Sequence, residues 1–207
     1  MSDMTSSDVS NSVTWASADV TIATVSTSGE VTGVAEGNTT LTVSMNGVRD
    51  VTVNVNVLCN LAGNCIDIFA TASGKLFTSS PSVAYLNGIG VSTPTNGPYT
   101  ETGSTGPSGD FYMFNWTNAN DLCDTYNTLI LDGRTNWRLA TRDELETELY
   151  DGYGDMFDGR GWPSYYNYWS TTQTGSYYRT VSVLNGQLRS EDPSWARYAS
   201  CVSEPVP

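Results

Sequence analysis

The chemistry open to this chain is bounded first by a missing residue type: none of the 207 positions is a histidine. Its absence removes the usual general base near neutral pH, the commonest metal ligand, and every triad built on imidazole. Catalysis by carboxylates alone would need a paired-acid site, and the sequence offers none. With no cofactor fingerprint and no activated nucleophile, neither an enzyme nor a cofactor is expected. The one acidic run that could gather around a cation goes from Asp151 through Asp155 to Asp158. It lacks the EF-hand spacing and its terminal Glu, and reads as a solvated loop after a helix. Those three aspartates are weak calcium candidates, and no metal is expected.

Four cysteines occur, Cys59, Cys65, Cys123 and Cys201. They allow three pairings, and sequence alone does not choose between them. The short gap favours Cys59–Cys65, which leaves Cys123–Cys201 as the long bridge. In the chain-entropy model the long loop contributes roughly 4–5 kcal/mol and the short one roughly 2 kcal/mol. No CxxC pair with zinc spacing is present, so structural disulfides and an oxidising compartment are expected.

The remaining signal is aromatic. Tyr and Trp crowd the last fifty or so residues, with Arg among them. These types dominate binding hot spots because they bury large area and keep a polar handle. The candidate ligand-binding residues are Trp162, Tyr165, Tyr166, Tyr177, Arg189, Asp192, Trp195 and Arg197. They imply a docking face built from the 162–168 loop and the 187–197 segment. Alternation along 177–184 sends Val181 and Val183 to the core and turns Thr180 and Ser182 outward. Trp169 and Tyr198 read as core.

The elements that must position these residues fall into two regions. Residues 1–57 alternate Val, Ile and Leu with Thr, Ser and Asn, which reads as short strands with one buried face each, as in a sandwich. Asn46-Gly47 supplies a hairpin turn. Residues 58–65 form a junction that a Cys59–Cys65 bridge would staple, and 66–207 form a second domain. Strands are expected at 66–69, 75–77, 168–172, 177–184, 187–190 and 198–203, with a second hairpin at Asn185-Gly186. A long loop is expected from Gly88 to Gly109. Thr117 is read as the cap of a helix whose Ala119, Leu122, Cys123 and Tyr126 share one face. Thr141 and Glu144 form a capping box that starts a second helix carrying Leu145 and Leu149.

Charge narrows the partners. There are 22 acids against 9 bases, a net charge of −13, and Lys75 is the one lysine. Such a surface repels phosphate backbones and anionic lipid, so no nucleic acid is expected. No apolar run approaches ~18 residues, so no direct membrane insertion is expected. No leader opens the chain, which with disulfides points to a piece of a longer secreted protein. A monomer is expected.

Two family resemblances sharpen this. Trp15-Ala16-Ser17-Ala18-Asp19, Ile22-Ala23-Thr24-Val25-Ser26, Gly29, Val31-Thr32-Gly33-Val34 and Glu36-Gly37 resemble the bacterial immunoglobulin-like group 2 domain, covering about the last two-thirds of that family's length. Such modules imply spacers in surface adhesins. Asp121-Leu122-Cys123, the run from Asn136 to Leu145, Gly161-Trp162-Pro163, Tyr168 to Thr172 and Tyr198 to Val202 resemble the C-type-lectin-like tip of the invasin and intimin adhesins. That resemblance implies an all-β immunoglobulin-like sandwich, partial here, followed by an α+β C-type-lectin-like domain. It also implies a cell-surface tip that binds a host or surface ligand, on the outside of a bacterium, within a longer secreted or outer-membrane-anchored protein.

The ligand implied is a protein. The alternatives are a carbohydrate-binding lectin, calcium-dependent or not, and a structural spacer. Lectin-like folds that hold sugar through calcium use a Glu-Pro-Asn or Gln-Pro-Asp triplet and a Trp-Asn-Asp triplet. Here Glu191-Asp192-Pro193 has the wrong order, and Ala196 and Arg197 follow Trp195, which removes the usual oxygen donors. The segment Arg138-Leu139-Ala140-Thr141 with Glu144 is also similar to one in formylglycine-generating enzymes and retroelement-diversified binding proteins. It implies their fold without the activity, with Trp137 and Leu139 in the core.

Overall fold

The computed structural model describes residue 9 and residues 12–34 and 37–205. The landmark Glu36 therefore lies outside the described residues. The chain divides between Cys59 and Asn60 into two units.

In the first unit, alternation produces the expected strands. β1 (Thr14–Ser17), β4 (Gly37–Met45) and β5 (Val48–Val57) form an antiparallel sheet in the order β1-β4-β5. Its register sets Trp15 opposite Val43 and Leu41 opposite Val53. β2 (Ala23–Val25) and β3 (Val31–Gly33) form a separate hairpin. Ala23 and Leu41 are buried, as the period of two requires. Gly47, in the turn between β4 and β5, takes φ +78°, the left-handed region that suits Asn-Gly. Gly29 is needed for another reason: a Cβ there would lie 2.7 Å from Trp15 Cζ2. β5 departs from expectation. Among the described residues it is an edge strand paired to β4, and Val51 and Val53 remain 58% and 50% exposed, so its alternation does not give a buried face.

The second unit is built around α2 (Trp116–Thr128) and an antiparallel sheet of order β10-β14-β7-β6. Its strands are β6 (Ile68–Ala70), β7 (Leu76–Thr78), β10 (Trp137–Leu139) and β14 (Cys201–Ser203). Ala119, Leu122, Cys123 and Tyr126 share the buried face of α2 and join Trp137, Leu139 and Trp169 in one core. Cys123 and Cys201 are disulfide-bonded across 78 residues, tying α2 to β14. Cys59 and Cys65 are also disulfide-bonded. Asn127 finishes the exposed edge of β10: its Oδ1 accepts from Trp137 N at 2.6 Å and its Nδ2 donates to Trp137 O at 2.8 Å.

Several local expectations shift. The cap of α2 is Asn115, two residues before Thr117; its Oδ1 accepts from Asn118 N at 2.8 Å. Starting the helix earlier lets Trp116 donate its indole N–H to Ser170 O at 3.0 Å. The 88–109 region is not one long loop. β8 (Pro98–Glu101) pairs with β9 (Gly109–Tyr112) as a ribbon, preceded by a short helix α1 (Val83–Gly88). Pro98 suits the first position of such a strand, where no ladder donor is required. β11 (Tyr168–Thr174), β12 (Tyr177–Val181) and β13 (Leu188–Glu191) form a third sheet. Val181 and Val183 are buried as expected, but so are Thr180 and Ser182. β12 is the central strand of its sheet, and Asn167 covers its other face by donating to Thr180 Oγ1 at 3.1 Å.

The capping box forms as read. Thr141 N donates to Glu144 Oε2 at 2.8 Å and Glu144 N donates to Thr141 Oγ1 at 3.2 Å. A π-helical segment (Glu144–Tyr150) follows and runs into one further turn, α3 (Asp151–Tyr153), with Leu145 and Leu149 buried. Glu144 also accepts from Lys75 Nζ at 2.8 Å and from Arg138 Nη2 at 2.6 Å. Burial pushes its carboxyl up, but Arg138, Lys75 and the Thr141 amide outweigh burial and hold it well below the usual carboxylate range. A carboxyl lowered in the folded state stabilises above its ordinary value of 4.5 and loses that contribution as pH falls below it. Glu144→Gln is expected to cost about 1–2 kcal/mol, because Lys75 and Arg138 lose the carboxylate they share, keeping Glu148 and Glu204 respectively, and the cap weakens. This lies below the cost for a fully buried pair, since the Arg138 side chain is 41% exposed. Urea denaturation across pH 3–7 checks it, and the variant should show a flatter acid limb than the parent.

Candidate functional site

The site grows from a buried carboxylate. Glu101, at the end of β8, is 1% exposed. Its Oε1 accepts from Tyr165 N at 3.0 Å and from Tyr198 Oη at 2.8 Å, and its Oε2 accepts from Thr105 Oγ1 at 3.3 Å. A buried carboxylate needs such donors, and here they fix the Tyr165-Tyr166 loop onto the β8–β9 ribbon. Above it the rings meet. Tyr99 stacks on Tyr165 with centroids 4.8 Å apart and meets Tyr166 edge-on at 4.9 Å. Tyr166 also touches Tyr165 at 5.0 Å and the buried Tyr198 at 6.2 Å.

Arg197 extends the row. Its guanidinium lies 5.4 Å from the Tyr166 centroid and 5.2 Å from that of Trp195, within cation–π range of both. From the side it is held by Glu191 through Nε and Nη2, the latter 2.8 Å from Oε1. Its backbone exchanges two 2.8 Å hydrogen bonds with Phe114. Trp195 follows a turn made by Asp192, whose Oδ1 accepts from Ser194 N at 2.9 Å and Ser194 Oγ at 2.7 Å. Those donors, the hydroxyl first, lower the Asp192 carboxyl below its ordinary value. Burial and the neighbouring Tyr165 push the Tyr99 phenol up to about 12, so it stays a neutral donor at any physiological pH.

The structure thus brings Tyr165, Tyr166, Trp195 and Arg197 into one row, with Asp192 shaping its end. Tyr165 and Trp195 are 57% and 53% exposed, enough to present ring area to a partner. Trp162 does not belong to this face. It is fully buried, and its indole donates to Asp67 Oδ2 at 2.7 Å, beside the Arg160–Asp67 ion pair. The burial of Trp162 has a plain cause: Asp67 needs donors, and the indole N–H supplies one from inside the core. Tyr177 opens β12 opposite Thr174, and Arg189 lies in β13 opposite Thr180 with Nη2 on Gln187 Oε1 at 3.0 Å. Neither shares the ring and ion contacts that join the row.

Sequence reading missed Tyr99 and Glu101, which sit where a loop was expected. Of the acidic run, Asp155 is used as the cap of α4 (Met156–Arg160), its Oδ1 accepting from Phe157 N at 2.8 Å. No group of three or more His, Cys, Asp or Glu side chains is placed to hold a metal ion among the described residues.

The row is largely aromatic, and its one cation is already paired with Glu191. Comparison with known proteins supplies the class of the chain. Residues 95–202 match the InvE-type adhesion domain, and residues 2–55 match the bacterial Ig-like domain (group 2). The chain belongs to the adhesion-domain family. It shares its fold with the adhesin InvE of Yersinia pseudotuberculosis, at 18% identity and a TM-score of 0.51, over 84% of this chain and 47% of that one. An intimin mutant of EHEC O157:H7 aligns over 92% of this chain and 77% of its own, at 14% identity and a TM-score of 0.37.

A 128-residue stretch is 35% identical to ice-binding protein 1 of Shewanella frigidimarina, covering 61% of this chain and 13% of that protein. The chain thus spans less than half the length of InvE and a small part of that relative. Membership of the family makes this an extracellular, non-catalytic adhesin-type domain of a bacterial surface protein. No helix is long and apolar enough to cross a membrane among the described residues.

Proposed function

We propose that the second unit is the tip of a surface adhesin that docks a protein on another cell, through Tyr99, Tyr165, Tyr166, Trp195 and Arg197. Residues 1–57 serve as the stalk module, and 58–65 as its stapled junction. The observation that carries this reading is the Arg197 guanidinium lying near both Tyr166 and Trp195 and anchored on buried Glu191. Aromatic and Arg anchors on a fixed frame bind with little ordering cost, and they are the residue types that carry most of the energy of protein interfaces. Intimin has been solved with its translocated receptor, and invasin is an integrin-binding protein. The aromatic and Arg row of this chain carries the reading by itself.

The test is saturable binding of the labelled chain to animal cells before and after protease or glycosidase treatment, with and without a calcium chelator. Loss of binding after protease alone, unaffected by chelation, is expected. Binding that survives protease but is lost after glycosidase or on chelation would indicate a lectin instead, and no binding to any surface would indicate a spacer.

A further inference from the structure

A second concavity lies in the same unit, on the other side of the β8–β9 ribbon. Tyr99 and Phe111 are opposed in that ribbon, and so are Pro98 and Tyr112, one step along. Successive strand residues point to opposite faces, so Tyr112 faces away from the aromatic row. Beside it, α1 and the loop that follows border an open cavity of about 540 Å³. This lies within the size range of small-ligand sites.

The chemistry of the lining is distinctive. Asn87, Ser92, Thr93, Thr95 and Tyr112 contribute hydroxyl and amide groups, and Leu86 is among its few apolar members. No lining residue carries a charge. An anion would find no cation there, on a chain of net charge −13. A lipid or other apolar ligand would find little to bury against. Hydroxyls and amides both donate and accept, which matches a ligand whose own groups do both. The wall is also prearranged. Tyr112 Oη donates to Asn87 Oδ1 at 3.0 Å, which leaves the Asn87 amide N–H groups for a ligand. Thr93 Oγ1 donates to Thr125 Oγ1 at 3.0 Å. Asn96 Oδ1, just past the loop, accepts from Asn115 N at 2.6 Å and Asn118 Nδ2 at 2.9 Å. Pinning the loop in this way reduces the entropy lost on binding. Gly90, at φ +75°, has nothing within 4 Å of where a Cβ would stand, so the mouth is open.

We propose that this cavity binds a neutral sugar residue, without a metal, as a site separate from the protein-docking face. Affinity of a single ring for so polar and open a site is expected near the millimolar range, roughly 1 mM.

Saturation-transfer difference NMR with neutral methyl glycosides (hexosides, deoxyhexosides and N-acetylhexosaminides) tests it, with a sialyl glycoside as the charged comparison. At least one neutral glycoside should give a saturable signal that persists in chelator. Asn87→Leu and Thr95→Val should each weaken it at least tenfold while keeping the parent melting temperature, since Asn87 is exposed and Thr95 is half-buried. Trp195→Ala should leave it unchanged. The proposal is overturned by silence from every neutral glycoside at 10-fold the expected constant, by preference for the sialyl glycoside, or by a signal undiminished in both cavity variants. None of those results touches the protein-docking reading, which the Trp195 and Tyr166 substitutions test by themselves.

Discussion

Replacing Cys123 and Cys201 together by alanine lowers the stability of the second unit by about 4–5 kcal/mol, the largest single loss expected in this molecule. The bridge closes a loop of 78 residues, so reduction returns much conformational freedom to the unfolded chain. Native packing adds to the effect. Both cysteines are buried, one on the inward face of α2 and the other in β14, which is hydrogen-bonded to β10 and β7. Few domains exceed 5–15 kcal/mol in total, so the variant should fall near its folding threshold at physiological temperature. Guanidinium denaturation of the parent and the double variant under non-reducing conditions measures the difference. A loss under about 1 kcal/mol would mean that the α2–β14 packing holds without its covalent tie.

What the sequence disclosed about this fold followed the reach of each signal. The Thr141–Glu144 box was legible because both partners lie within one helical turn, where spacing alone places them. The buried stripe of α2 was legible for the same reason, and the alternation of residues 14–57 gave the strands of the first unit. The cap of α2 was misplaced by two residues because Asn115 and Thr117 are both competent caps, and only the seat of Trp116 against Ser170 decides between them. Errors grew with separation. Trp162 looks like a loop residue between Gly161 and Pro163, yet it is buried against Asp67, 95 positions earlier. Thr180 follows a surface alternation until Asn167 closes over it. In the site itself, the aromatic and Arg members near the C-terminus were visible by type. Tyr99 and Glu101 were not, because their partners Tyr165 and Tyr198 lie 64 and 97 residues from Glu101. A four-residue strand carries too little pattern to reveal them; the alternation in Pro98-Tyr99-Thr100-Glu101 was the one available hint.

The docking face gives the second large expected effect. Alanine at both Trp195 and Tyr166 should weaken binding to the protease-sensitive cell surface at least a hundredfold, and lower the stability of the unit by less than roughly 2 kcal/mol. Trp195 is 53% exposed, so its removal opens little core; Tyr166 is half-buried and supplies most of the stability loss. Arg197→Lys separates charge from shape. Lysine retains a positive charge opposite Glu191, but it cannot present a flat guanidinium to Tyr166 and Trp195. A tenfold loss in that variant, with the parent's melting temperature retained, would show that the hold of the guanidinium on the two rings sets the binding geometry. Unchanged binding in the Trp195/Tyr166 double variant would remove the row from the interface. Tyr177→Ala and Arg189→Ala then locate the edge of the face. Neither side chain touches the row, so each is expected to change binding less than about threefold, the behaviour of rim contacts around a hot spot. The physical reason for the contrast lies beneath the rings. Glu101 and Glu191 are both buried, and each holds one end of the row, so Tyr165, Tyr166 and Arg197 have less freedom left to lose when a partner docks.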